Sequence, residues 1–240
     1  MLDFLDVGEV PDRVGLGVRL LRAALGKVIP PGRKPPRYAR FVPPDWRQHS
    51  DTRRDVEDLV AIVGQAGGQL QAERFRFEWR PGTPIAAAAG RLAFRPATDD
   101  DELTELMTLV LAGTLDANSC EELTRMPARD QAAGHFRDMA GYRSPRQWWQ
   151  VATLPSGEPA GFVIPAHNNY GPIIAYIGVL PAHRGNGYIG EILAEGTRIL
   201  AAHGAHRIRA ATDLANVPMA SAFARAGWVA FEHSIVMIWP

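Results

Sequence analysis

The chain has 240 residues, 46% of them hydrophobic and 22% charged, enough to bury a sizeable core in one large domain or one domain with an appendage. Its 26 Lys and Arg balance 26 Asp and Glu, so no overall field draws it to nucleic acid or an anionic membrane. The lone cysteine, Cys120, excludes an internal disulfide framework and a thiolate metal cluster; a cytoplasmic protein without a bound metal is the expectation.

The opening "MLDFLDVGEVPDRVG" is acidic where an export signal is basic and then apolar. The longest apolar runs are too short to form a membrane-spanning helix. Val14, Val18, Leu21 and Leu25 recur at helical spacing, which predicts an amphipathic helix over 12–28. Eight Lys or Arg and no acid lie between Arg13 and Pro44. The basic face of this helix is either solvated while the other face packs, or meets a membrane surface, a partner or ligand phosphates. "IPPGRKPPRYARFVPP" then reads as a semi-rigid proline linker. Residues 51–67 predict a second helix, with Val56, Leu59, Val60 and Val63 on its inner face and glycines at its end. "LQAERFRFEWR" alternates Phe75, Phe77 and Trp79 with Arg76 and Glu78, as a half-wetted strand does. The "PGTPIAAAAG" that follows divides the chain into an N-terminal extension, 1–90, and a second domain, 91–240.

The second domain opens with a short strand at Leu92 and Phe94. A helix follows, capped by Thr98 or Asp99 and striped by Leu103, Leu106, Met107 and Val110. One helical stretch is expected from about Cys120 to Met139, then a hairpin turning at Ser156 and Gly157. "PIIAYIGVL" is a strand covered on both faces. "GYIGEILAEGTRILAAHG" is a helix, "HRIRAATD" a strand, "NVPMASAFARAG" a helix and "WVAFEHSIVMIW" a final strand pair. The order from residue 91 is β-α-α-β-β-β-α-β-α-β-β, an α+β chain.

"VLPAHRGNGYIGEIL" admits two readings. Gly185, Gly187 and Gly190 spell the dinucleotide fingerprint, and Asp213 ends the next strand where a ribose-binding acid would stand. Yet four residues separate Leu180 from Gly185, a hairpin precedes the loop, and only fifty residues follow Gly190, which suits an open parallel sheet poorly. In the second reading the backbone N–H groups from Gly185 to Ile189, at the positive end of the next helix, surround a pyrophosphate. Arg184 and His183 then add charge at the mouth.

Here the sequence resembles the GCN5-related N-acetyltransferases (GNAT), whose acetyl-CoA loop is written [QR]-x-x-G-x-[GA]. Arg184-Gly185-Asn186-Gly187-Tyr188 follows that pattern, with Ile189 in the last position and Gly190 one residue late. "DLANVPMASAFARAGW" is similar to the family's second signature, N-x-x-A-x-x-x-Y-x-x-x-G-F, through Asn216, Gly227 and Trp228, with Met219 for the alanine and Phe223 for the tyrosine. The resemblance implies an α/β/α-layered fold whose central mixed, mostly antiparallel sheet splays beside the acetyl-CoA site. It also implies contacts of acetyl-CoA with Ile177, Gly178, Val179, the loop from Arg184 to Gly190, Asn216 and Phe223.

The implied reaction is direct transfer of an acetyl group to a small-molecule or peptide amine. Phe223 has no hydroxyl for the departing thiolate, and the strand before the loop lacks the glutamate that many relatives place there. Asp213, Tyr176 and His167 stand as candidates for the proton-transfer group; as alternatives, Asp213 serves as a cap, Tyr176 as a core aromatic and His167 as a loop residue. Trp148 and Trp149 are candidates for a pocket wall. The expected product is an N-acetyltransferase whose extension shapes the acceptor site or a homodimer interface. The alternatives are an acetyl-CoA-binding sensor with weak catalysis and, less favoured, an NAD(P)-dependent oxidoreductase.

Overall fold

The computed structural model describes residue 2 and residues 5–240. Its elements in chain order are α1 (Arg13–Val28), β1 (Tyr38–Val42), α2 (Ser50–Gln65), β2 (Gln69–Trp79), β3 (Ala93–Pro96), α3 (Asp100–Val110), α4 (Ala117–Leu123), α5 (Ala128–Ala140), β4 (Gln150–Thr153), β5 (Pro159–Asn168), β6 (Gly171–Val179), α6 (Tyr188–Ala202), β7 (Ile208–Asp213), α7 (Val217–Arg225) and β8 (Val229–Ile238). No helix among the described residues is long and apolar enough to cross a membrane. The chain forms two units, residues 1–75 with 231–240, and residues 76–230. These do not coincide with the division read at residue 90.

In the first unit the strand order is β1-β8-β2, with β1 antiparallel to β8 and Tyr38 opposite Met237. The proline-linker reading therefore missed a strand: Pro36 and Pro43 bracket six residues, five of them β1, and Tyr38, Ala39 and Val42 are buried. Helices α1 and α2 pack through Val18 and Leu21 against Val56, Leu59, Ile62 and Val63. Gly17 permits the close approach, since a side chain there would meet Ile62. Arg13 pairs with Asp55 and, at 3.4 Å, with Asp58. The amphipathic helix thus packs its apolar stripe within its own unit.

In the second unit the strand order is β2-β7-β6-β5-β4-β3. The pairs β3–β4, β4–β5 and β5–β6 are antiparallel, and β6–β7 is parallel. A doubly wound parallel sheet is therefore absent. The register of β5 and β6 slips by one residue between Tyr176 and Ile174, so Ala175 is a bulge that reverses which face the later residues address. Helices cover both faces. On one, Gly178 lets Val110 of α3 press on β6; on the other, Gly196 lets α6 lie against Val163 and Ile174.

Two predicted boundaries differ from those found. The single helix over 120–139 is α4 and α5, because Pro127 has no amide to continue α4 and instead opens α5. The final strand pair is one strand, β8, of ten residues.

Where β3 meets α3, Arg95 holds the carboxylate of Glu102, which also accepts from the Thr98 amide at 2.7 Å. The Arg95 guanidinium, followed by the Thr98 bonds, pulls the Glu102 carboxyl down to about 2. A carboxyl depressed on folding contributes stability above its unfolded value, and that contribution fades as pH falls toward its folded value. Between about pH 4.5 and 2 the protein should therefore lose stability more steeply than Glu102→Gln, measured by urea unfolding across that window.

Candidate active site

Strands β6 and β7 run side by side only near their N-terminal ends. Ile173 pairs with Arg209, and no ladder partner joins the rest of the two strands among the described residues, so the sheet opens toward Val179 and Asp213. Backbone groups alternate along β6. The Leu180 amide donates to Ala160 of β5 at 2.9 Å, so Gly178 and Tyr176 also turn their main-chain groups to β5. Ile177 and Val179 turn theirs into the opening.

After Val179 the chain makes a short 3-10 turn at 181–183 and enters the glycine loop. Gly185 and Gly187 hold φ of 82° and 73°, the left-handed region that glycine tolerates best. Gly187 is the residue before α6. None of the amides of residues 185–189 donates to a protein acceptor among the described residues, whereas Gly190 donates to the Gly187 carbonyl at 3.2 Å. Five consecutive donors at the positive end of a 15-residue helix make an anion cradle.

The positive side chains expected at the mouth have other partners. Arg184 reaches across to the carboxyl end of α3, donating to the carbonyls of Val110 at 2.9 Å and Ala112 at 2.7 Å. Its charge thereby meets the negative end of that helix and ties the loop to it. His183 lies 3.1 Å from Glu158. The cradle rests on backbone alone, which corrects the expectation of charge from Arg184 and His183.

A residue absent from the sequence reading shapes the loop instead. Arg91 donates to the Asn186 carbonyl at 2.9 Å and to Glu191 at 2.7 Å, and its guanidinium lies 5.0 Å from the Tyr188 ring centre. Nothing local to Arg91 signals this, because its partners lie about a hundred residues onward. Arg91→Ala should weaken acetyl-CoA binding roughly 2- to 5-fold with little change in melting temperature, because exposed charge-assisted contacts are worth about 1 kcal/mol or less. Isothermal titration checks the first and calorimetry the second.

The remaining candidates separate. Asp213 is 3% exposed and accepts the Ala117 amide at 2.6 Å, fastening the start of α4 to the end of β7. Tyr176 stands in the open section of β6, its ring edge-on to Phe162 at 5.1 Å and to His135 at 5.6 Å. Burial, and then the charge of Asp116, raise its hydroxyl well above the usual tyrosine range. Such a phenol keeps its proton and acts as a hydrogen-bond donor. His167 pairs with Pro172 at the hairpin end of β6, seven residues from Val179 and so about 23 Å along the strand.

Asn216 caps α7, accepting from the Met219 amide at 3.3 Å. Phe223 is 1% exposed between Phe77 and Trp228, so its ring belongs to the core and offers no surface to acetyl-CoA. A side chain at Gly190 would meet nothing within 4 Å beyond its own helix, whereas Gly196 is the glycine of α6 that lies close against the sheet. Trp148 and Trp149 are buried, Trp149 beneath the Arg146 guanidinium and beside Phe136, so both are core residues.

A sheet opened at one end beside an amide-lined loop is the arrangement of an acyl-CoA-dependent transferase. Residues 116–228, a little under half of the chain, match the sequence model of the acetyltransferase (GNAT) family. Three solved structures share its fold. The GCN5-related N-acetyltransferase from Sphaerobacter thermophilus has a TM-score of 0.57 at 14% identity, over 94% of this chain and 66% of that one. A tandem GNAT protein from the clavulanic acid biosynthesis pathway has a TM-score of 0.57 at 12% identity, over 96% and 71%. The GCN5-related N-acetyltransferase from Kribbella flavida has a TM-score of 0.55 at 13% identity, over 96% and 77%. The chain thus spans about two thirds of the Sphaerobacter protein. No curated protein matches it by sequence.

Proposed function

We propose that this protein transfers an acetyl group from acetyl-CoA directly to an amine, with residues 91–240 as the acyltransferase domain and 1–90 as an extension. The observation that carries the reading is the run of five undonated amides, 185–189, placed directly after the open strand β6. In this reading those amides receive the pyrophosphate. The main chain of Ile177 and Val179 lies alongside the pantetheine arm, and an amide from that edge faces the negative charge that develops on the carbonyl oxygen. Holding amine and thioester together in the opening of the sheet supplies much of the acceleration, since a bimolecular step becomes effectively intramolecular. Gly178 does not serve the opening, because its backbone faces β5.

Phe223 supports a second reading, acetyl-CoA binding with weak catalysis, because the family tyrosine is replaced by a core residue without a hydroxyl. Titration with acetyl-CoA followed by a thiol-release assay over a panel of primary amines separates the two. Turnover on at least one amine supports the transferase; tight binding with no thiol release above the amine-free rate supports the sensor. Absence of acetyl-CoA binding would contradict both.

A further inference from the structure

Helices α4 and α5 bridge the opening between β6 and β7. The first residue of α4 is fastened to Asp213 on β7, and α5 reaches Tyr176 on β6 through His135. Between these anchors lies a polar network that neither the loop nor the strand backbone uses. Glu122 of α4 accepts from Asn118 Nδ2 at 3.0 Å on Oε1 and from Gln131 Nε2 at 3.1 Å on Oε2. Gln131 Nε2 also reaches the Ser119 carbonyl at 3.3 Å. With acceptors around that nitrogen, the amide orientation is determined. Gln131 is 2% exposed, so its amide is fixed inside the network, and its Oε1 has no hydrogen-bond partner among the described residues. One turn further along α5, His135 places Nε2 3.7 Å from Glu122 Oε2 while its side chain stays 22% exposed.

We propose that His135 is the base of the transfer and that Glu122, itself held by Gln131, is its positioning residue. This rests on the acyl-transfer reading above. The acceptor is then a primary amine that arrives as an ammonium ion. It gives one proton to His135 Nδ1, the nitrogen turned away from Glu122, and Glu122 faces the positive charge so formed. The neutral amine nitrogen attacks the thioester carbonyl carbon. The N–C bond forms, the C–S bond breaks with its electron pair passing to sulfur, and the second proton shed by nitrogen reaches the thiolate through solvent. The groups facing His135 are Glu122 from α4, Tyr176 from β6 and Gln131 on its own helix, with the Asp116 charge acting on Tyr176. The buried face of α3 is apolar: Leu103, Leu106, Met107 and Val110.

The test uses the full chain with His135→Gln and Glu122→Gln, acetyl-CoA, and spermidine, glucosamine, lysine and a peptide amine as acceptors. His135→Gln should lower kcat at pH 7 by about 100-fold or more while acetyl-CoA affinity stays unchanged. Its rate should then climb with pH as the amine becomes neutral by itself, closing the gap to the native enzyme. Glu122→Gln should lose roughly 10-fold, with the same gap-closing trend. A native rate and pH profile in His135→Gln overturns the assignment of His135 alone. So does an equal loss at every pH, which is a structural effect. If His135→Gln loses acetyl-CoA binding, His135→Asn and Glu122→Gln carry the same comparison. Acetyl-CoA binding by the native protein with no transfer to any of the four amines overturns the acyl-transfer reading and this inference with it.

Discussion

Gly187→Asp should weaken acetyl-CoA binding by at least about 30-fold while lowering the melting temperature by a few degrees at most. Gly187 stands immediately before α6 with φ of 73°. An aspartate there suffers left-handed strain of about 1 kcal/mol, of which a carboxylate cap recovers a few tenths. The net cost to stability is below about 1 kcal/mol, a few degrees at most. The binding effect is larger, because the carboxylate occupies the donors that the pyrophosphate needs and repels its charge. About 2 kcal/mol of lost affinity corresponds to that 30-fold change. Titration calorimetry with acetyl-CoA and differential scanning calorimetry read the two quantities separately. A large fall in melting temperature, or unchanged affinity, would contradict this account of the loop.

Gly161→Ala acts on the scaffold that opens the sheet. A side chain at Gly161 would lie 2.3 Å from the Gly178 carbonyl oxygen and 2.8 Å from Ile192 Cδ1. The first of these is backbone, so β5 and β6 must separate to admit it. Overpacking of this kind costs about 3 kcal/mol, which corresponds to roughly 6–12 °C of melting temperature for a chain of this size. Gly190→Ala is the contrast: beyond its chain neighbours and the backbone of its own helix, no described atom lies within 4 Å of the added carbon. Its backbone is not left-handed, and alanine favours the helix by up to about 1 kcal/mol. Melting curves should separate the two variants by direction as well as size.

Most of the element order of the second unit, and the glycine loop between a strand and a helix, were legible in the sequence because each rests on local signals. The loop needs glycines between a strand and a helix, and the helices advertise themselves by spacing and caps. Strand β1 was hidden because prolines on either side outweighed five residues whose pairing with β8 lies about two hundred residues away. The role of Arg184 was read from its charge, but its side chain is committed to the end of α3. Arg91 and His135 were invisible for the same reason. Each sits in an unremarkable local pattern and gains meaning only when the fold brings Asn186, or Glu122 and Tyr176, beside it. Asp213 and Asn216 stood in plausible functional places, yet both accept backbone amides at helix starts, as short polar side chains commonly do.

The central claim is that the amides of 185–189 hold the pyrophosphate of acetyl-CoA beside the open edge of β6. A crystal structure of the protein with acetyl-CoA tests it most directly. The account predicts phosphate oxygens about 2.7–3.2 Å from several of those amide nitrogens, with the thioester in the opening between β6 and β7. Acetyl-CoA bound with its pyrophosphate away from that loop, or with its thioester outside the opening, would contradict it.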